Sequence, residues 1–460
     1  MLITLLLATQ MISMLKISLK FFLGENMKNY FLSIGLFAFL LTGCSTDAQD
    51  GSSVSQANVS DGPSYIVDAA WPKTLPNLWK IGGITGLAVD VNDNVWLYNR
   101  PNDITALELH AEVGDAECCV LPPSMIHVNR AGDVIGWFDA PQGHGMDVDS
   151  QGFVYLGQDT VRKYDPNTGE VVGEIARTPE REGGGRVGLP EWPPERLPGI
   201  GSRGPIANFI NNLERARNPE TPAPNPETVA RQQQERMEFR MKYPPETPMI
   251  VGGLEDIRIM EDLGEIFIAD NYLGGRVLVF DFETLEFKRG WGAYGKPLSE
   301  ISINDEDHAY TPNGPMAPDF VGHLTLNVSN DGLVYAADRN GNRIHVTDLQ
   351  GNFLDEFILA PSTAIGGSTG GVAFSPDPEQ QYLYISDLTN NKIWFLDRAT
   401  GEVVGELGRM GENAGEFYGL HMIDVDSDGN IYTGEVFSGE RAQRFVPVSS
   451  ERGQIISSLY

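Results

Sequence analysis

Three kinds of residue are scarce in this chain of 460: it has 3 Cys, 7 His, and only 33 Lys+Arg against 63 Asp+Glu. So few cysteines exclude a small disulfide-held scaffold, and a chain of this length buries a core without staples. The basic deficit leaves a formal net charge of −30. Such a surface repels phosphate backbones and excludes a nucleic-acid partner. The apolar run Tyr30–Leu41 spans about 12 residues, too few for a permanent membrane-crossing helix. What is plentiful is turn chemistry: 51 Gly and 29 Pro favour many short strands over helix bundles. The 41% hydrophobic and 21% charged residues describe an ordinary globular protein.

The N-terminus reads as an address. Lys28 supplies a positive start, Tyr30–Leu41 the apolar segment, and Leu41-Thr42-Gly43-Cys44 the end. Small residues before a cysteine resemble a bacterial lipobox, which implies lipidation of Cys44; an ordinary signal peptide with a chance cysteine stays open. Residues 1–43 are then a signal segment, with Met27 an alternative start, and residues 44–64 a flexible tether. The expected place is the bacterial cell envelope, at the outer membrane or periplasmic face, held to the membrane by the lipid anchor alone.

Beyond the tether one pattern recurs six times: apolar alternation, a polar turn, then a second alternating run. Examples are Gly145-Met146-Asp147-Val148-Asp149 leading to Phe153-Val154-Tyr155, and Met422-Ile423-Asp424-Val425-Asp426 leading to Asn430-Ile431-Tyr432. Period-2 alternation around tight turns predicts antiparallel strands, and three or four per unit make a propeller blade. The chain is therefore expected to be all-β, a six-bladed β-propeller over residues 65–448 with a C-terminal tail at 449–460. A sandwich does not call for six in-register copies. Either Tyr65-Ile66-Val67 or the strand near Phe445-Val446 would complete the last blade and close the ring, removing its free edges. Residues 102–122 interrupt blade one and carry Cys118-Cys119, for which a vicinal disulfide and two free thiols are both open. Residues 179–247 form a long, partly helical insertion between blades two and three. Its helix is predicted over Glu227–Lys242, with Asn225 as N-cap and Pro226 in the first turn. A lid over one face and a surface loop are both open for it.

Histidines are few, yet three share one place in the repeat. His144, His323 and His421 open the first strands of blades two, four and six. His144 and His421 each stand eight residues before the turn glycines Gly152 and Gly429. His323 stands nine before Gly332, a difference assigned to the turn. Alternate blades of a six-blade ring lie about 120° apart, so equivalent positions aim at a common axial point. Three neutral imidazoles with an open fourth position suit a catalytic zinc. A second ring position, after the second strand, holds Arg100, Asp270-Asn271-Tyr272 and Asp338-Arg339. Two arginine forks suit a small anionic substrate. A tyrosine beside Arg and a divalent cation is favoured as phenolate and could serve as base. Ordinary turn pairing of Asp338 with an arginine remains the plain alternative.

These residues resemble peptidyl-α-hydroxyglycine α-amidating lyase, a six-bladed propeller of NHL-type repeats. The resemblance covers roughly residues 71 to 446 and implies zinc on His144, His323 and His421. It implies Tyr272 as catalytic base, with Arg100 and Arg339 as catalytic arginines. The family also binds calcium through an Asp after its third histidine; Met422 stands there in this chain. Leu273 stands where the family has a disulfide cysteine. The expected activity is zinc-dependent cleavage of the C–N bond in an α-hydroxyglycine-like carboxylate, releasing an amide and glyoxylate, by a monomer. A non-catalytic binding propeller at the cell surface and a zinc-dependent ester or lactone hydrolase are the competing readings.

Overall fold

Six four-stranded antiparallel sheets follow one another along the chain, so the protein is a six-bladed β-propeller. The computed structural model describes residues 62–104, 114, 116–179, 225–251, 253–271, 273–364, 366–436 and 439–459. The signal segment, Cys44 and Tyr272 lie outside them. For blades one to six the first strands are Gly83–Val89, Met146–Val148, Leu254–Met260, Leu324–Val328, Val372–Phe374 and Leu420–Val425. The second strands are Val95–Arg100, Val154–Gly157, Glu265–Asp270, Leu333–Asp338, Tyr382–Asp387 and Ile431–Glu435.

Local chemistry explains why the turns recur. Asp149 accepts hydrogen bonds from the N–H groups of Gln151 and Phe153 at 3.1 and 2.8 Å. Asp426 does the same for Asp428 and Asn430 at 3.0 and 2.8 Å. Gly152 and Gly429 close these turns at φ 88° and 80°, a region that glycine enters without steric cost. Part of the large acidic excess is thus spent on holding turns.

Core formation happens between blades, not within them. Phe267, Val277 and Val279 of blade three pack on Leu324, Leu326 and Val334 of blade four. Equivalent clusters fill the five other junctions, including the one where Met422 and Tyr432 of blade six meet Ile84 and Leu87 of blade one. Side-chain carboxylates tie neighbouring first strands together. Asp147 accepts from the Ile259 N–H at 2.7 Å, Asp256 from Leu326 at 3.1 Å, and Asp424 from Val89 at 2.9 Å.

Both candidate closing segments are used. Ala442–Pro447 is the third strand of blade six, and Tyr65–Val67 pairs with it as the outermost strand, Tyr65 opposite Pro447. Residues from the two ends of the propeller thereby share one sheet. The segment after it holds a helix, α2 (Glu451–Ser457), whose Arg452 reaches Asp68 at 2.7 Å.

The insertion contains helix α1 (Pro226–Lys242), with the Asn225 side chain accepting from the Glu227 N–H at 2.9 Å. It is anchored to the propeller. Arg236 and Arg240 both bind Asp305, at 2.8 and 2.7 Å, and Arg240 also donates to the Leu273 carbonyl at 3.2 Å. Helix α1 is therefore docked beside the loop after the second strand of blade three. In blade one, Cys118 and Cys119 are joined to each other.

Candidate functional site

The first strands carry a shared irregularity that aims side chains at the axis. In blade three the pairing skips from Leu254–Asp270 to Asp256–Ala269, so Glu255 is the extra residue of a β-bulge. In blade six it skips from Leu420–Glu435 to Met422–Gly434, leaving His421 extra. His144 has the same place, since Gly157 accepts from the His144 N–H and donates to the Gly145 carbonyl. A bulge bends its strand and re-aims the unpaired side chain. Close blade approach also demands glycine here. Gly145 has φ 75°, and a Cβ on it would stand 2.6 Å from the Glu255 carbonyl oxygen.

Blade four differs from the sequence expectation. Its turn, Ser329 to Gly332, closes with the same Gly N–H to residue i carbonyl bond as Asp149 to Gly152. The longer spacing therefore arises before the turn, where His323 precedes the strand Leu324–Val328. Blade four has no bulge: Leu324–Asp338 is followed directly by Thr325–Ala337. His323 enters one residue earlier, with a left-handed φ of 56°. The backbone just ahead of the strand, not turn length, accommodates it.

Two of the three histidines, His144 and His323, contact a carboxylate absent from the sequence expectation, Glu255, and the third, His421, faces His144. The His144 ring Nε2 lies 3.1 Å from Nε2 of His421 and 3.4 Å from Oε2 of Glu255. Nδ1 of His323 lies 3.0 Å from Oε1 of Glu255. The Arg339 guanidinium stands 3.5 Å from Nε2 of His421. Arg100 donates to the Gly143 carbonyl at 3.3 Å, next to His144. Asp338 is not Arg339's partner. It binds Arg343 at 3.0 Å with both side chains fully buried, and Asp270 holds Arg276 in the same way at 2.8 Å. The plain alternative thus applies to Asp338 with Arg343, and Arg339 turns to the histidines.

Glu255 did leave a signal in the sequence. Glu255-Ile257-Ile259 alternates as His144-Met146-Val148 and His421-Ile423-Val425 do, which puts the carboxylate at the histidine position of blade three. A search for histidines alone passes over it.

Electrostatics set the protonation states. Burial drives His144 down to about 4, against the pull of Glu255. Burial, then the neighbouring His144 and Arg339, put His421 well below the usual imidazole range. Burial alone would raise the Glu255 carboxyl, but His144, His323 and Arg339 outweigh it and hold it below the ordinary carboxylate value. The cluster thus sets buried imidazoles against a buried carboxylate, with the Arg339 guanidinium acting on both.

Among the described residues no group of three or more His, Cys, Asp or Glu is set around a cation site; the facing His144 and His421 rings are the part whose chemistry suits a divalent cation. The His144 Nδ1–H donates to the Glu255 carbonyl at 2.6 Å, because a carbonyl can only accept. That leaves a lone pair on Nε2, which faces the other Nε2 at 3.1 Å. Two imidazoles on one zinc place their nitrogens about 3.3 Å apart. Neutral imidazole with carboxylate is a donor set that zinc accepts.

No family model matches the chain, and no curated protein matches it. In fold the chain is similar to a structural genomics protein of unknown function from Bacteroides thetaiotaomicron VPI-5482. That pair shares 14% identity over 84% of this chain and 73% of the other, with a TM-score of 0.44. It is also similar to virginiamycin B lyase from Staphylococcus aureus, at 12% identity over 81% and 88%, TM-score 0.39. A catalytically inactive variant of that lyase with quinupristin aligns at 12% identity over 85% and 89%, TM-score 0.37. Likeness of this degree concerns the path of the chain, and the reading of the site rests on its own residues.

Proposed function

We propose that this protein is an envelope-anchored, metal-dependent lyase that cleaves the C–N bond of a carbinolamide carboxylate, R-CO-NH-CH(OH)-COO⁻, releasing an amide and glyoxylate. The observation that supports it is the convergence of His144, His421, His323 and Glu255 beside two arginines. In this reading His144, His323 and His421 hold zinc, with Glu255 next to them as counter-charge. When bound, that ion lowers the pKa of a hydroxyl placed on it.

The chain's own residues do the remaining work. Arg100 and Arg339 grip the substrate carboxylate, each able to give two parallel N–H bonds, and so orient the C–N bond. The hydroxyl proton has to leave as the C–N bond breaks. Its oxygen pair becomes the glyoxylate carbonyl, and the C–N pair leaves on nitrogen, which takes up a proton to form the amide. Glu255 is a poor acceptor for that proton, since its neighbours hold its carboxyl below the ordinary range and basicity falls with pKa. Tyr272 is the proposed base, carried by the resemblance to the amidating lyases.

Two measurements test this. Elemental analysis of the purified protein should find stoichiometric zinc, lost in His421→Ala, with glyoxylate released from α-hydroxyhippurate but no hydrolysis of a simple ester. Tyr272→Phe should keep its zinc and lose turnover by 100-fold or more, in the range for a general base. Absence of bound metal sinks the proposal, and undiminished turnover in Tyr272→Phe removes the tyrosine from it.

A further inference from the structure

A second polar side chain at this site lacks a hydrogen-bond partner among the described residues. Asn271, just after the second strand of blade three, is 4% exposed. Its backbone is committed: its N–H donates to Gly253 at 3.3 Å, and its carbonyl accepts from Gly275 at 2.9 Å. Its side-chain amide is not. Both Oδ1 and Nδ2 are buried and lack a hydrogen-bond partner among the described residues. Buried amides are nearly always satisfied, so one left open implies a missing partner.

Its position says where that partner lies. A Cβ on Gly322 would meet the Asn271 Nδ2 at 3.8 Å, and Gly322 immediately precedes His323. Strand pairing says more. Ile84–Asn99, Leu254–Asp270 and Leu324–Asp338 are equivalent pairs in blades one, three and four. The next residues, Arg100, Asn271 and Arg339, therefore hold one ring position. Asp270 and Asp338 are used up on Arg276 and Arg343, which leaves the following residue as the group offered to the site.

We infer that Asn271 is a ligand-binding residue that, together with Arg100 and Arg339, selects an anion carrying an amide, the chemistry of an N-acyl amino acid. Guanidinium groups have donors and no acceptor, so the arginines recognise the carboxylate alone. Asn271 adds one acceptor and a donor pair, which answer an amide N–H and C=O. The assignment of the amide rests on the proposed lyase reading, but the binding needs no turnover.

The test is calorimetric titration with two probes, hippurate and 3-benzoylpropionate. Hippurate has the carboxylate and the amide but no hydroxyl to react, and the second probe replaces its N–H with CH₂. A site built for an N–H discriminates strongly against the analogue lacking it. The wild-type protein should bind hippurate at least tenfold more tightly, and Asn271→Leu should bring the two probes within twofold. The Leu variant should keep or raise the wild-type Tm, because it removes a buried unsatisfied group; a purely structural asparagine would lower it. The inference is overturned if the wild type does not bind hippurate, if it shows no preference, or if the Leu variant keeps the preference. Selective hippurate binding without glyoxylate from α-hydroxyhippurate would instead sink the lyase reading and leave Asn271 in place.

Discussion

Glu255 shows how one residue changes the character of the site. Three histidines alone would hold a cation by neutral donors; a buried carboxylate within 3.0 and 3.4 Å of two of them adds a full negative charge. Groups that orient or charge-balance metal ligands typically contribute 10- to 100-fold in affinity. Glu255→Gln keeps the shape and removes the charge. It should weaken zinc binding by about that factor, measured by competition with a chromogenic chelator, while His421→Ala removes binding altogether. Equal affinity for Glu255→Gln and wild type would show that the carboxylate does not act on the cation. The histidine spacing was visible in the sequence because imidazoles are rare in this chain. Glu255 was hidden because carboxylates are common in it, and only their location separates this one from 62 others.

At the scale of the strand, the first strands carry a polar layer as well as the bulge. Arg258 of blade three faces Asp256 of its own strand, Asp147 of blade two and Asp424 of blade six. Burial raises Asp147 to about 7 and Asp256 to about 6, with Arg258 pulling the other way, and Asp424 is raised for the same reasons. The folded state holds these protons more tightly than the unfolded chain, whose aspartates titrate at about 4. Their favourable contribution is thus complete below that value and is lost as pH rises through about 6 and then about 7. Arg258→Met takes away the one guanidinium among three carboxylates. Breaking such a buried group costs about 3–5 kcal/mol. The variant's Tm should fall most at pH 8 and recover on acidification to pH 5, more steeply than wild type. Parallel Tm–pH curves would show that Arg258 does not balance this layer. Strand alternation was legible from the sequence, whereas this layer was not, since it joins residues 147, 256, 258 and 424 that only ring geometry brings together.

The whole molecule depends on closure. Tyr65–Val67 completes blade six from the opposite end of the propeller, and Asp68 just after it binds Arg444 and Arg452 at 2.6 and 2.7 Å. These arginines overcome the burial that would raise the Asp68 carboxyl and lower it to about 2. A variant lacking everything through Asp68 leaves the strand Ala442–Pro447 as an open edge, and an unpaired edge recruits other chains. That variant should have a lower Tm and should self-associate in sedimentation velocity. A truncated protein with unchanged Tm and no self-association would show that the ring holds without this strand.

The amino-acid order by itself determined the number of blades, their strands and the polar turns, because each depends on neighbours a few positions apart: alternation, an Asp at the start of a turn, a glycine free to take positive φ. It also marked His144, His323 and His421, since equivalent places in a repeat map to equivalent places on a ring. What only the tertiary structure decided is what meets at the centre. Bulges in blades two, three and six, and a left-handed residue in blade four, turn side chains from residues 144, 255, 323 and 421 toward one another. Ring curvature sets that encounter, and curvature comes from packing between whole blades, which no local pattern records.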